Sequence, residues 1–181
     1  ESPKQVINLV IHLGNPGLYI LRHAKAAAAT SGGGDIDRAL SNRGAADMAA
    51  LGQRLVGLDV SPQLVLCSSA QRAQETFAVI LPFLGGDPAV EVEDAIYHAG
   101  PQDLLERLRA VGEVERVMIV GHNPTIEVLT ATLASDGTPG AVQAAMNFRA
   151  GSLAELEFTV DAWCDLQPGA GRLIRFLEPE G

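Results

Sequence analysis

Apolar and polar positions along the chain follow two alternating rhythms, one of strands and one of helices. Leu18-Tyr19-Ile20-Leu21 is a short unbroken apolar run of the buried-strand type. Ser41 offers an N-cap hydroxyl, and after it Met48, Leu51, Leu55 and Leu58 recur at helical spacing over about four turns. The pattern then repeats. Leu64-Val65-Leu66 reads as a strand, and Ala70 to Leu81 as a helix with Ala73, Phe77, Ile80 and Leu84 on one stripe. Val90 and Val92 alternate with Glu91 and Glu93, which predicts a strand with one wetter face. Pro101 to Val111 reads as a helix with Pro in its first turn, and Val117-Met118-Ile119-Val120 as a second fully apolar strand. Pro124 starts a further helix, with Asn123 as its cap. Strands around Leu153 to Thr159 and Leu173 to Phe176 close the chain, and Gly137 to Gly140 reads as an internal loop.

Apolar strands alternating with helices predict an α/β fold, a three-layer α/β/α sandwich with a mostly parallel central sheet covered on both faces. The sequence shows no internal repeat, low-complexity tract or linker. Residues 18–181 are therefore expected to form one domain. Residues 1–17 stand before it as an N-terminal extension of no assigned role, ending in the turn signal Gly14-Asn15-Pro16-Gly17. A length of 181 residues is enough for a real core, and with 47% apolar but only 4% aromatic residues that core must rest on Ala, Val, Leu and Ile.

A formal charge of −9 argues against a nucleic-acid partner, which needs a net basic face. It leaves room for a small anion pocket, provided that a few cations are concentrated there. Two cysteines, Cys67 and Cys164, do not make a disulfide framework and point to a reducing compartment. The apolar run Val6 to Leu13 is broken by Asn8 and His12, is too short to span a bilayer, and lacks a signal-peptide pattern. The expectation is a soluble, cytoplasmic protein without a membrane partner.

In open α/β sheets, ligands bind beyond the carboxyl ends of the strands, beside helix N-termini. Arg22 and His23 follow the first strand; Cys67, Ser68, Ser69 and then Arg72 follow the second; Gly121, His122 and Asn123 follow the strand ending at Val120. Three strands thus deliver two Arg and two His to one sheet edge. Such a set suits phosphoryl transfer, which needs positioning and charge cancellation more than covalent work by the protein. Arg bonds phosphate oxygens in pairs and keeps its proton. A neutral imidazole can take the phosphoryl group and pass it to water, and backbone N–H groups at helix starts add to an anion site. Singly, each residue has a plainer role: a polar loop pair for Arg22 and His23, a surface helix partner of Glu75 for Arg72, a packed histidine for His122. Their convergence favours the site.

The same residues carry a family resemblance. Leu21-Arg22-His23-Ala24-Lys25 resembles the opening motif of the histidine phosphatase superfamily, whose fold is also called phosphoglycerate-mutase-like. Ser68 to Thr76 is similar to its second motif, and Val120-Gly121-His122-Asn123-Pro124 to its third. Asp35 to Gly44 resembles the short phosphohistidine phosphatase branch of the SixA type, and the chain length agrees. The resemblance runs from Leu18 to about Phe176. It implies a phosphatase without cofactor or metal, acting on a phosphorylated substrate such as a phosphohistidine protein. His23 would carry the phosphoryl group, Arg22 and Arg72 would clamp it, and His122 would complete the pocket. Lys25, Arg38 and Asn123 are the further candidates for substrate contact. Larger members of the family have a carboxylic general acid after the third strand. Here Glu93, Asp94 and His98 are the candidates for that role, and no single one stands out.

Other chemistries fit less well. Cys67 and Arg72 are one residue short of the loop that cysteine phosphatases wrap round phosphate. His12, His23, His98 and His122 show no paired metal-ligand spacing, and the predicted pocket is cationic. A non-catalytic phosphate-recognition module, a small-molecule phosphomonoesterase with an unidentified acid, and a mutase stay open as alternatives. A binding module would have no need of His23, and a mutase would need an inserted lid.

Overall fold

The computed structural model describes residues 14–180, and most of the N-terminal extension, His12 included, lies outside them. Seven strands form one sheet: β1 (Gly17–Arg22), β2 (Leu64–Ser68), β3 (Ala89–Glu93), β4 (Arg116–Gly121), β5 (Ala134–Gly137), β6 (Leu153–Phe158) and β7 (Gly171–Leu177). Among the described residues six α-helices accompany them: α1 (Asn42–Leu55), α2 (Gln71–Ile80), α3 (Asp94–His98), α4 (Pro101–Arg109), α5 (Thr125–Leu133) and α6 (Pro139–Ala145). The strand order is β3-β2-β4-β1-β6-β7-β5. β6 runs antiparallel to both its neighbours, and the other pairings are parallel.

Period-two alternation along the central strands builds a core on each face. Leu18 and Ile20 of β1 pack with Val117, Ile119, Leu104, Leu108, Ile126 and Leu129 under α4 and α5. Tyr19 and Leu21 pack with Val65, Met118, Val120, Leu51, Leu55 and Phe77 under α1 and α2. The result is the expected three-layer sandwich. Aliphatic side chains dominate both cores, yet Trp163, Phe148 and Phe158 are fully buried too. Trp163 donates its indole N–H to the Val114 carbonyl at 2.6 Å, which satisfies its one polar atom. Ser41 caps α1 by accepting from the Gly44 N–H at 3.0 Å.

Three local expectations need correction. Asn123 does not cap α5: the capping position falls on Pro124, which has no side-chain donor or acceptor, and the Asn123 amide is engaged elsewhere. The segment around Gly137–Gly140 is no plain loop, because β5 pairs with β7 there and α6 begins at Pro139. In β3 neither face is well covered. As the sheet's edge strand it leaves Val90 and Val92 about half exposed, at 44% and 50%, and Glu91 is exposed to the same degree. Glu91 and the less exposed Glu93 both pair with Arg107 of α4.

Candidate functional site

β2, β4 and β1 are adjacent and parallel, so their carboxyl ends form one edge. Arg22 is level with Gly121 across the β1–β4 pair, and the His23 N–H donates to the Gly121 carbonyl at 3.1 Å. Arg72, 6% exposed, rises from the first turn of α2. The imidazoles of His23 and His122 stand 5.1 Å apart between centroids, and Arg72 Nη2 lies 3.4 Å from His122 Nδ1. Arg22, His23, Arg72 and His122 are thus together at the predicted edge.

Each member is oriented by a polar partner. His23 Nδ1 sits 2.7 Å from the Ala24 carbonyl oxygen, an acceptor only, so Nδ1 carries the hydrogen and Nε2 keeps its lone pair. Arg22 Nη1 donates to the Phe148 carbonyl at 2.9 Å, and Asn123 Nδ2 donates to the same oxygen at 2.8 Å. Glu127 accepts from the Phe148 N–H at 3.0 Å and fastens that loop to α5. Arg72 donates through Nη1 to the Asp35 carbonyl at 2.8 Å and through Nη2 to the Asp35 carboxylate at 3.0 Å. The Nε atoms of Arg22 and Arg72 are buried, and neither has a partner among the described residues. Each guanidinium thus keeps one donor without a partner among the described residues.

Electrostatics keep both imidazoles neutral. The His23 pKa is pushed down to about 4, mainly by burial and further by Arg72, Arg22 and Arg38. The His122 pKa is likewise lowered to about 4, by burial first and then by His23 and Arg72. Burial also lowers the Arg22 pKa, against the opposing charge of Glu127. Asp35 is held well below the usual carboxylate range by hydrogen bonds from Tyr97, Arg38 and Arg72.

The remaining sequence candidates fare unequally. Arg38 lies on the rim, its Nε on the Ala27 carbonyl at 3.0 Å and its Nη1 on Asp35 at 3.2 Å. Lys25 is exposed on the loop after His23. Glu93 is turned to Arg107, Asp94 is an exposed residue at the start of α3, and the exposed His98 packs edge-on against Tyr97 at 4.8 Å. Cys67 is buried in the α1–α2 core with its thiol pKa raised to about 12, which removes it as a nucleophile. Among the described residues, no group of three or more His, Cys, Asp or Glu could hold a metal ion, and no helix is long and apolar enough to cross a membrane.

Sequence reasoning missed Asp35, Tyr97, Ser68 and Thr76 as parts of the site. Tyr97 donates to Asp35 at 2.6 Å and presents its ring edge-on to His122 at 5.5 Å between centroids. Thr76 accepts from the Ala24 N–H at 3.0 Å and donates to the Arg72 carbonyl at 2.7 Å, joining α2 to the His23 loop. Asp35, Ser68 and Thr76 lie inside the segments that carry the family likeness, which was the available signal. Tyr97 had none.

Comparison with known proteins supplies the family. Residues 18–96 match the model of the histidine phosphatase superfamily (branch 1). A structure from Nakamurella multipartitia, assigned as phosphohistidine phosphatase SixA, is 31% identical; the match covers 93% of this chain and 99% of that one, with a TM-score of 0.79. One from Agrobacterium tumefaciens with the same assignment is 32% identical over 92% of this chain and 100% of that one, with a TM-score of 0.75. An uncharacterized protein of Mycobacterium tuberculosis is 34% identical over 163 residues, 88% of this chain and 99% of its own length. With the two-arginine, two-histidine edge of its sheet and relatives alike over nearly their full length, the chain belongs to the histidine phosphatase superfamily.

Proposed function

We propose that the chain is a metal-independent phosphatase that hydrolyses phosphohistidine, or a related phosphoramidate, through a phosphoryl group carried on His23. Membership of the family supports phosphatase function in general. The observation that carries the finer reading is the state of His23: neutral, with its Nδ1 hydrogen committed to Ala24 and its Nε2 lone pair uncommitted. In the first step Nε2 attacks phosphorus and the bond to the leaving group breaks; with the other nitrogen of the substrate ring protonated, the electron pair departs on a neutral imidazole. Water then cleaves the new P–N bond, returning neutral His23 and inorganic phosphate. Arg22 and Arg72 cancel charge on the equatorial oxygens, and His122 donates one further hydrogen bond.

Substrate choice follows from what the site holds. A phosphohistidine ring protonated on its free nitrogen expels a neutral imidazole, whose conjugate acid has a pKa near 6.5, whereas an alkoxide needs a proton delivered in the transition state. Glu93, one candidate for that delivery, is bound to Arg107. The names of the two SixA structures point to the same substrate class. Residues 18–181 would form the catalytic domain.

Rapid acid-free quenching of the protein with a radiolabelled phosphohistidine peptide tests the mechanism. Label should appear on His23 as an acid-labile phosphohistidine, be absent from His23→Ala, and be insensitive to chelator. Turnover by folded His23→Ala at the wild-type rate would refute it.

A further inference from the structure

We infer that Ser68 is a positioning residue that fixes the tautomer of His122, placing the ring hydrogen on Nδ1, the nitrogen that faces the anion site. Its catalytic consequence rests on the reading of His122 given above, but the tautomer itself does not.

Ser68 ends β2 with no exposed surface. Its Oγ lies 2.7 Å from His122 Nε2 and 3.2 Å from the Ala70 backbone nitrogen. A hydroxyl has one hydrogen to give and two lone pairs to offer. The Ala70 N–H can only donate, so it takes one lone pair. If Ser68 gives its hydrogen to Nε2, the Ala70 N–H, the Ser68 hydroxyl and His122 Nε2 are all satisfied, and the His122 hydrogen must sit on Nδ1. In the opposite arrangement Nε2–H donates to Oγ. The serine hydrogen is then left without an acceptor among the described residues, at a point closed to water.

The other side of the ring pulls the opposite way, but more weakly, since a guanidinium N–H there asks Nδ1 to accept. The polar atom facing Nδ1 is Arg72 Nη2 at 3.4 Å, the outer limit of a hydrogen bond, and that nitrogen already donates to Asp35 at 3.0 Å. The opposite tautomer would gain this long contact while orphaning the partner of a short one. With Nδ1–H in place, His122 and Arg72 present hydrogens side by side, and the unpartnered Nε atoms of Arg22 and Arg72 add two more. A guanidinium cannot accept. All these donors are therefore arranged for a shared acceptor with several lone pairs, as a phosphoryl group has. Ser68 thus sets the polarity of the site from behind: Ala70 N–H to Ser68, Ser68 O–H to His122, His122 Nδ1–H to the transferring oxygen.

Long-range 1H–15N correlation spectra of the full chain at pH 7, with and without inorganic phosphate, read the tautomer directly. The His122 signals are assigned by their loss in His122→Gln. Wild type should show a protonated Nδ1 and an unprotonated Nε2. Ser68→Ala should move His122 toward the Nε2–H form that an unconstrained imidazole favours, whereas Ser68→Thr, which keeps a hydroxyl, should hold the wild-type pattern. Turnover by Ser68→Ala should fall on the order of tenfold to a hundredfold in kcat with KM little changed, less than the ~10²–10³ lost when a transition-state donor is removed outright. An Nε2–H tautomer in wild type, or an unchanged tautomer in Ser68→Ala, overturns the inference. Should Ser68→Ala fail to fold, the wild-type spectrum alone decides. Because that spectrum needs no turnover, failure of this inference is separate from failure of the phosphatase reading.

Discussion

Arg107 holds the carboxylate of Glu93 with two nitrogens at once: Nε reaches Oε1 at 2.9 Å and Nη2 reaches Oε2 at 2.8 Å. A paired, charge-assisted clamp of this kind favours the ionised carboxylate, and the Glu93 pKa is lowered by it. Glu93 sits where larger relatives would place an acid, yet it is kept ionised and turned toward α4. Glu93→Gln should therefore leave kcat on an alkyl phosphate monoester, whose alkoxide needs a proton to depart, within about threefold of wild type, far from the ~10²–10⁴ that a general acid contributes. Steady-state rates at neutral pH check this. A loss of a hundredfold in a folded variant would return Glu93 to the mechanism.

The lowered pKa values of His23 and His122, both about 4, give a pH dependence with a definite sign. An unfolded histidine titrates near 6.5, so between pH 6.5 and about 4 the unfolded chain binds more protons at these positions than the folded one. Their contribution to stability is present above pH 6.5 and is lost as pH falls through that window. NMR titration of the two imidazoles should give midpoints near 4, with the neutral form persisting at pH 5. Between pH 7 and pH 5, the thermal midpoint of wild type should fall further than that of a His23→Gln/His122→Gln double variant. An equal fall in both proteins, with midpoints near 6.5, would contradict the burial argument.

Much of this architecture was open to reading because strands β1, β2 and β4 are apolar on both faces. Such runs have little else to be than central strands, and their carboxyl ends must then carry the chemistry. Arg22, His23, Arg72 and His122 follow from that placement. Asp35, by contrast, reaches Arg72 across 37 residues of chain, and no local spacing announces such a contact. Tyr97 was hidden for the same reason, since only folding brings α3 beside His122. The faces of β3 were misread because alternation gives the period of a strand and not its position in the sheet. At an edge, a valine face can stay as exposed as the glutamate face, even where Arg107 pairs with Glu91 and Glu93.

Gly44 shows how tightly α1 is set against the His23 loop. A Cβ there would overlap the Lys25 carbonyl oxygen and crowd the Leu40 side chain. That carbonyl also accepts from the Ser41 N–H at 2.9 Å and the Ser41 hydroxyl at 2.8 Å, so it cannot easily withdraw. Gly44→Ala, although favourable for helix propensity, should cost about 1–3 kcal/mol of stability as an overpacking change. It should also lower kcat by displacing the segment that follows His23. Urea unfolding and steady-state kinetics on the same sample test both effects. A variant as stable and as active as wild type would show that the helix can shift freely.

The leaving group provides the last and most discriminating expectation. The carboxylates of Glu93 and Asp35 are both held ionised, the first by Arg107 and the second by Tyr97, Arg38 and Arg72. Neither has a proton to give at neutral pH. What the site does supply is charge cancellation, from the half-buried Arg22 and the buried Arg72, whose Nε atoms have no partner among the described residues. Such a site lowers the barrier for phosphoryl transfer in general, but does nothing for a departing alkoxide. An imidazole or an activated aryl oxide leaves without that help. At matched pH, kcat/KM on a phosphohistidine peptide should therefore exceed that on an alkyl phosphate monoester by on the order of a hundredfold or more, the contribution of a positioned acid. Asp35→Asn should not widen the gap, because an ionised carboxylate is no acid to lose. Equal or faster turnover of the alkyl ester would mean that a proton donor reaches the site, and Asp94 and His98 on α3 would be the next residues to replace.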